Sequence, residues 1–367
     1  MVSTITNNKR TFIMPYTNTA LHDQQALALR EEEEARQLAA QYKMQAAYEK
    51  HTTPTINLLI KTLLLPWESL ESLLFRAAAM NHLTGISTLK RSLMLPENGL
   101  MSIKRHLQLS IAIGQDLNAL SPAVPTLTSR STVKLYGHTL PSKHLALTTC
   151  RVCLDCLNEF SYGKAYWMLA PFSACESHKC LLIDSCPTCD APLTGGRPSY
   201  NCCPCGADLS KLGSTRCSEA LYEMSRILVH KFTGQNTPLS SVCYSDEFLS
   251  LELLDMLELL TFLGALTNDP GTTFLSLSRR VVNLKHTKRS YIKSTNALLN
   301  WPVGFHKLLA SSRSFRSYGE TPANVYNSIS HVTGIIPANA QPKWCRLVLS
   351  GIESFLKNRD AWSISSN

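Results

Sequence analysis

The chain has 367 residues, with 36 Lys and Arg against 27 Asp and Glu, a formal charge of +9. Hydrophobic residues make up 44% and charged residues 17%, which excludes a mostly disordered chain and is enough for two or three cores. The excess of positive charge points to an anionic partner without naming it. Residues 1–50 are polar and lack the apolar core of a secretory signal, so a cytoplasmic location and no membrane attachment are expected.

Residues 1–53 read as an N-terminal arm with a helix over Leu21 to Glu49. The acidic run Glu31 to Glu34 sits near its start, where the helix dipole favours negative charge. Residues 54–147 read as a helical, helix-turn-helix-like domain and a linker. Leu70, Leu73, Leu74, Ala77 and Ala78 recur at helical spacing, and Gly85 breaks that helix. A short element follows over Ser87 to Met94. A third helix runs from Ser102 to Ile113 and is ended by Gly114. A plain helical bundle is the alternative to a DNA-reading arrangement. Residues 121–147, with Pro122, Pro125 and Pro141 among Ser and Thr, read as a linker or extended segment.

Residues 148–216 hold most of the cysteines. Eleven of the thirteen lie between Cys150 and Cys217. In a reducing compartment such clustering favours metal ligation over disulfides. Cys153 and Cys156 pair with Cys175 and His178. Cys186 and Cys189 pair with Cys202 and Cys205. A two-residue gap lets one tight turn offer two ligands to one ion, and two such turns complete a tetrahedron. Cys203 is an alternative to Cys202. Cys150, Cys180 and Cys217 look surplus and read as buried thiols. Four protein ligands leave no open position, so two structural zinc ions per chain are expected, and paired zinc-finger modules with them.

The region 64–212 resembles the TniQ/TnsD family of transposition target-selection proteins. The carrying residues are Pro66-Trp67-Glu68-Ser69-Leu70-Glu71-Ser72-Leu73 with Arg76, then Cys153 and Cys156-Leu157. Tyr166-Trp167, Cys175 with His178, Leu181-Leu182, Cys186-Pro187 with Cys189, and Cys205-Gly206 with Leu209 complete the series. Asn300-Trp301-Pro302 with Phe305 adds a weaker match. About sixty residues precede the first motif, and Leu154 stands where the family has proline. The resemblance implies a mainly α fold: a helix-turn-helix-like N-terminal domain, two small zinc-binding modules and a C-terminal helical domain. It also implies a dimeric adaptor that binds an RNA-guided Cascade complex and hands target DNA to the AAA+ regulator TnsC. A TnsD-like selector would instead read DNA without guide RNA.

Residues 217–367 read as the C-terminal helical domain. Phe248 to Leu266 is apolar enough for a buried helix, but its Glu252, Asp255 and Glu258 exclude a membrane span. From Pro270 to Gly319 there are nine basic residues and no acidic one, so the rest balances at 36 − 9 = 27 bases against 27 acids. Arg279, Arg280, Lys285, Lys288, Arg289 and Lys293 are the expected contacts to nucleic acid or a ribonucleoprotein. Phosphate-cradling loops, nucleophile elbows and convergent carboxylate sets are not evident, so no catalytic activity is expected.

Overall fold

The computed structural model describes residues 57–93, 95, 101, 103–129, 131–235, 239–266, 284–311 and 342–357. The chain divides into two compact units, Met1–Pro54 and Thr55–Asn367. The first unit, with the expected arm helix, lies outside the described residues, and everything below concerns the second.

Helix α1, Leu70–Met80, begins where Ser69 accepts a hydrogen bond from the Ser72 amide. Its apolar spacing buries Leu70, Leu73, Leu74, Ala77 and Ala78. Just before it, Glu68 is wholly buried yet fully served. Its carboxylate accepts from Arg76 Nε and Nη2, both at 2.8 Å, from Ser72 Oγ at 2.8 Å and from the Leu65 amide at 3.0 Å. The Glu68-Ser69 motif with Arg76 is therefore a structural clasp. A buried carboxylate stays ionised cheaply only with such partners.

Helix α2, Ile86–Ser92, starts at Gly85, whose φ of +79° suits glycine. Helix α3, Ile103–Ile113, ends at Gly114 with φ +69°, as the sequence predicts. The short α4, Leu117–Leu120, is capped by Asp116, which accepts from the Asn118 and Ala119 amides.

Within residues 121–147, expected as a linker or extended segment, the extended stretches pair into a small antiparallel sheet. Strands β1 (Thr126–Ser129), β2 (Thr132–Leu135) and β3 (His138–Pro141) lie in that order. Tyr136 and Gly137, both at positive φ, make the tight turn that sets Leu135 opposite His138 and Val133 opposite Leu140. Val133, Leu135 and Leu140 face inward and are buried. The three prolines and the Ser/Thr clusters masked this short alternation.

Beyond the cysteine region, helix α6, Glu219–Thr233, is capped by Ser218 and stopped by Gly234 at φ +63°. (The short helix α5, Leu154–Glu159, belongs to the site below.) The expected single helix over 248–266 is two, α7 at Asp246–Leu249 and α8 at Leu253–Leu266. Ser245 caps α7 and its turn ends at Ser250, so the apolar run is broken by a local stop. Helix α8 buries Leu253, Met256, Leu257, Leu259, Leu260 and Phe262, which surround its axis, as expected of a core helix.

Helix α9, Leu284–Leu298, crosses α8 closely. Gly264 faces Ser290 and Ser294, and Ser294 Oγ donates to Leu260 O at 2.7 Å. Helices α10 (Val303–Ser311) and α11 (Lys343–Lys357) follow. The Trp301 ring stacks on Phe305 at 4.9 Å, and a Cβ on Gly351 of α11 would come within 2.7 Å of Trp301. The Asn300-Trp301-Pro302 segment with Phe305 thus seats α11. None of the described helices is long and apolar enough to cross a membrane.

The buried side chains form two clusters. One joins α1, α2 and α3 to Cys150, Leu157, Cys186, Leu193 and Cys203. The other joins the sheet, Cys153, Cys156, Trp167 and Cys175 to α6, α8, α9 and α11.

Candidate metal centres

The first centre is built from a short helix and a hairpin. Cys153 is the N-cap of α5, Leu154–Glu159, and its sulfur accepts from the Cys156 amide at 3.4 Å. Facing it, Ala174 and Leu181 form an antiparallel bridge, and the Cys175 amide donates to Cys180 O at 2.7 Å. The tip between them, with Lys179 at φ +50°, brings Cys175 and His178 toward the helix.

The donor atoms converge. His178 Nδ1 lies 3.6 Å from Cys153 Sγ, 3.2 Å from Cys156 Sγ and 3.6 Å from Cys175 Sγ. Cys156 and Cys175 sulfurs are 3.6 Å apart. An ion with tetrahedral bonds of about 2.3 Å to sulfur sets its donors about 3.7 Å apart, so these edges fit zinc. The thiols share protons accordingly. Hydrogen bonds from Cys156, Cys175 and Cys180 hold Cys153 far below the ordinary thiol range. Cys153 pushes the Cys175 thiol up, but hydrogen bonds from Cys156 and Cys180 outweigh it and bring it to about 6.

Two supports of this centre escaped the spacing argument. Glu159 accepts from His178 Nε2 at 3.0 Å, which fixes the ring with Nδ1 toward the sulfurs. Burial lowers the His178 pKa, but Glu159 and the cysteines outweigh it and raise it to about 9. Glu176, at the hairpin tip, accepts from Tyr166 Oη and from Trp167 Nε1, so the Tyr-Trp pair of the sequence motif holds the knuckle. Glu159 sits one turn after Cys156 on α5, the only hint the sequence offers.

The second centre joins Cys186, Cys189, Cys203 and Cys205, all of whose sulfurs lie within 4.8 Å of one another. The expected ligand Cys202 is replaced by Cys203. Cys202 forms a bridge with Asp208, and its amide donates to Ser199 Oγ at 3.2 Å. Successive residues of an extended stretch point to opposite sides, so the pairing that turns Cys202 away turns Cys203 in. Cys203 then starts a turn closed by the Gly206 amide on its carbonyl at 2.9 Å, with Gly206 at φ +89°. Cys186 Sγ is 3.8 Å from Cys205 Sγ, and Cys189 Sγ is 3.6 Å from Cys203 Sγ. Burial pushes the Cys186 thiol up, but amides of Thr188 and Cys189 outweigh it and bring it to about 6. Three sulfurs with one imidazole in the first cluster, and four sulfurs in the second, suit zinc.

The second centre is locked to the N-terminal helices by buried charge. Arg197 donates to Tyr200 O at 2.7 Å and to Thr194 O, and its guanidinium stacks between the rings of Phe75 and Tyr200, 5.1 Å from each. Glu71 of α1 lies half-buried beside it. Desolvation raises the Glu71 pKa against the pull of Arg197 and Lys90. Gly195 leaves just enough room for Lys90 Nζ and Glu71 Oε1, which a Cβ there would meet at 3.2 and 3.3 Å.

Of the surplus thiols, Cys150 is pushed up to about 12 by burial and contacts Tyr200 Oη. Cys180 is fully buried and lies against the first centre.

The expected nucleic-acid contacts divide. Arg279 and Arg280 lie outside the described residues. Lys285 and Lys288 belong to α9. Arg289 and Lys293 are exposed on the same helix, four residues apart and so on one face.

A protein-family comparison adds an independent finding. The TniQ family model matches residues 59–182, a span that holds α1 to α3, the sheet and the whole first centre. No curated protein matches the chain.

Proposed function

From the TniQ domain at residues 59–182 we propose a non-catalytic target-selection adaptor for DNA transposition. That domain marks a transposition-associated target-selection family, and it is the observation that carries the reading. The adaptor links an RNA-guided Cascade ribonucleoprotein, with its guide RNA, to the AAA+ regulator TnsC. It works in the cytoplasm as a homodimer, and its two zinc ions are structural.

The division of labour follows from the residues. The metal centres have closed sets of four donors, which suits holding loops in place and not activating a water. Arg289 and Lys293 supply exposed positive charge on one face of α9, away from any cluster of acids in sequence. Phosphate neutralisation there would position a nucleic acid or a ribonucleoprotein.

The test is co-expression with Cascade and guide RNA. The complex is expected to co-purify with the chain, with a nucleic-acid absorbance ratio. The competing outcome is sequence-specific footprinting on target DNA without guide RNA. That result, with no Cascade bound, would replace the RNA-guided reading by a TnsD-like one.

A further inference from the structure

A further thiol, that of Cys180, stands beside the first centre and against its Cys153 ligand. The turn at α5 supplies Cys153 and Cys156. The hairpin supplies Cys175, His178 and also Cys180, whose sulfur lies 3.4 Å from Cys153 Sγ. That is shorter than the 3.6 Å between Cys156 and Cys175. Ligand atoms of Cys153, Asp155 and Cys180 all fall within 4.8 Å of one another. Cys180 is fixed there by backbone. Its carbonyl accepts from the Cys175 amide, and its own residue bridges to Arg216.

The five donors are not equivalent. Cys153, Cys175 and Cys180 are wholly buried, and Cys156 nearly so. His178 retains 17% side-chain exposure, and the Glu159 that holds it retains 48%. The imidazole therefore stands at the solvent edge, with a spare sulfur behind it. Thiophilic ions rank thiolate above imidazole as a ligand.

We propose that Cys180 is an alternative fourth ligand of the first centre, which takes the place of His178 for a soft divalent ion such as cadmium. The exchange balances simply. The Cys180 thiol gives its proton to solvent, a metal–sulfur bond forms, and the metal–nitrogen bond to His178 breaks. The centre thus has two ligand sets, three sulfurs with one nitrogen or four sulfurs. This rests on the first cluster holding an ion and is independent of the targeting role.

The experiment uses the reduced full chain loaded with zinc or cadmium, dialysed, and assayed for ions per chain and for thiolate-to-cadmium charge-transfer absorption. With cadmium, wild type should show eight bound thiolates, Cys153, Cys156, Cys175 and Cys180 at the first centre and four at the second, and Cys180→Ser seven at equal cadmium content. The wild-type band is then about one-seventh stronger. With zinc, His178→Ala should keep two ions per chain and His178→Ala/Cys180→Ser only one. Equal cadmium bands in wild type and Cys180→Ser overturn the proposal, as does loss of one zinc ion in His178→Ala alone. If His178→Ala fails to fold, the cadmium comparison decides by itself, since it needs only the mild Cys180→Ser change. A wild type that binds no ion would sink the metal centre itself, a distinct result.

Discussion

Arg76→Ala tests the clasp at the start of α1. Arg76 gives two of the four hydrogen bonds that serve the Glu68 carboxylate, each at 2.8 Å. The Glu68 side chain has no exposure, whereas Arg76 has 23%. Truncating the arginine therefore leaves a carboxylate in the interior with only Ser72 Oγ and the Leu65 amide. Breaking one side of a buried ion pair costs about 3–5 kcal/mol, and the partial exposure of Arg76 puts the loss near the lower end, about 3 kcal/mol. With a urea dependence of about 2–3 kcal/mol/M, the unfolding midpoint should fall by about 1 M. Arg76→Lys keeps the charge but loses the two-pronged geometry and should recover only part of this. The same Arg76→Ala change in a Glu68→Ala background should cost under about 0.5 kcal/mol, because the carboxylate it serves is gone. A wild-type shift below about 0.3 M, or an equal shift in both backgrounds, would refute the reasoning.

Four other outcomes follow. Cys203→Ser should remove one zinc ion per chain by elemental analysis, whereas Cys202→Ser should leave the count unchanged. Glu159→Gln should weaken zinc binding at the first centre by about 10–100-fold in a chelator competition, because the His178 ring loses its anchor. Reversing Arg289 and Lys293 to Glu should reduce the slope of log affinity against log salt for nucleic acid or ribonucleoprotein by about two. Acid should destabilise the contact of α8 with the loop after β3. His144 is buried, which holds its pKa below the usual value, with Nε2 2.9 Å from Glu258 Oε1 and Nδ1 near Thr261 Oγ1. Burial raises the Glu258 carboxyl, but His144 and Lys143 outweigh it and hold it low. Both folded pKa values are depressed, so this stability is present at neutral pH. It is lost first as pH falls below about 6.5, where free histidine protonates, and then in the carboxylate range. A midpoint for His144→Gln as steep in mild acid as wild type would contradict this.

Legibility differed by kind of signal. Helices α1 to α3 were readable because 3.6-residue spacing and the stop at Gly114 agreed, although α1 ends at Met80 with Asn81 as its cap and Gly85 opens α2 instead of ending α1. The metal sets were readable because ligand spacing is a local property. What failed was local conformation around them. Cys202 and Cys203 are adjacent, and only the bridge of Cys202 to Asp208 decides which thiol turns inward. The strands of 126–141 are four residues each, too short for alternation to outweigh Pro122, Pro125 and Pro141. Glu159 was missed because its role depends on a hairpin folding back onto α5, a tertiary event.

The two metal centres are eight residues apart in sequence, from His178 to Cys186, yet they belong to different hydrophobic cores. Cys153, Cys156 and Cys175 pack with α6, α8 and α9, while Cys186 and Cys203 pack with α1 to α3. Withdrawing one ion would loosen one end of the molecule and spare the other. Progressive chelation should then melt the chain in two steps: the step at the α6, α8 and α9 end moves the fluorescence of Trp167 and Trp344, and the step at the α1 to α3 end, whose core has no described tryptophan, leaves it unchanged.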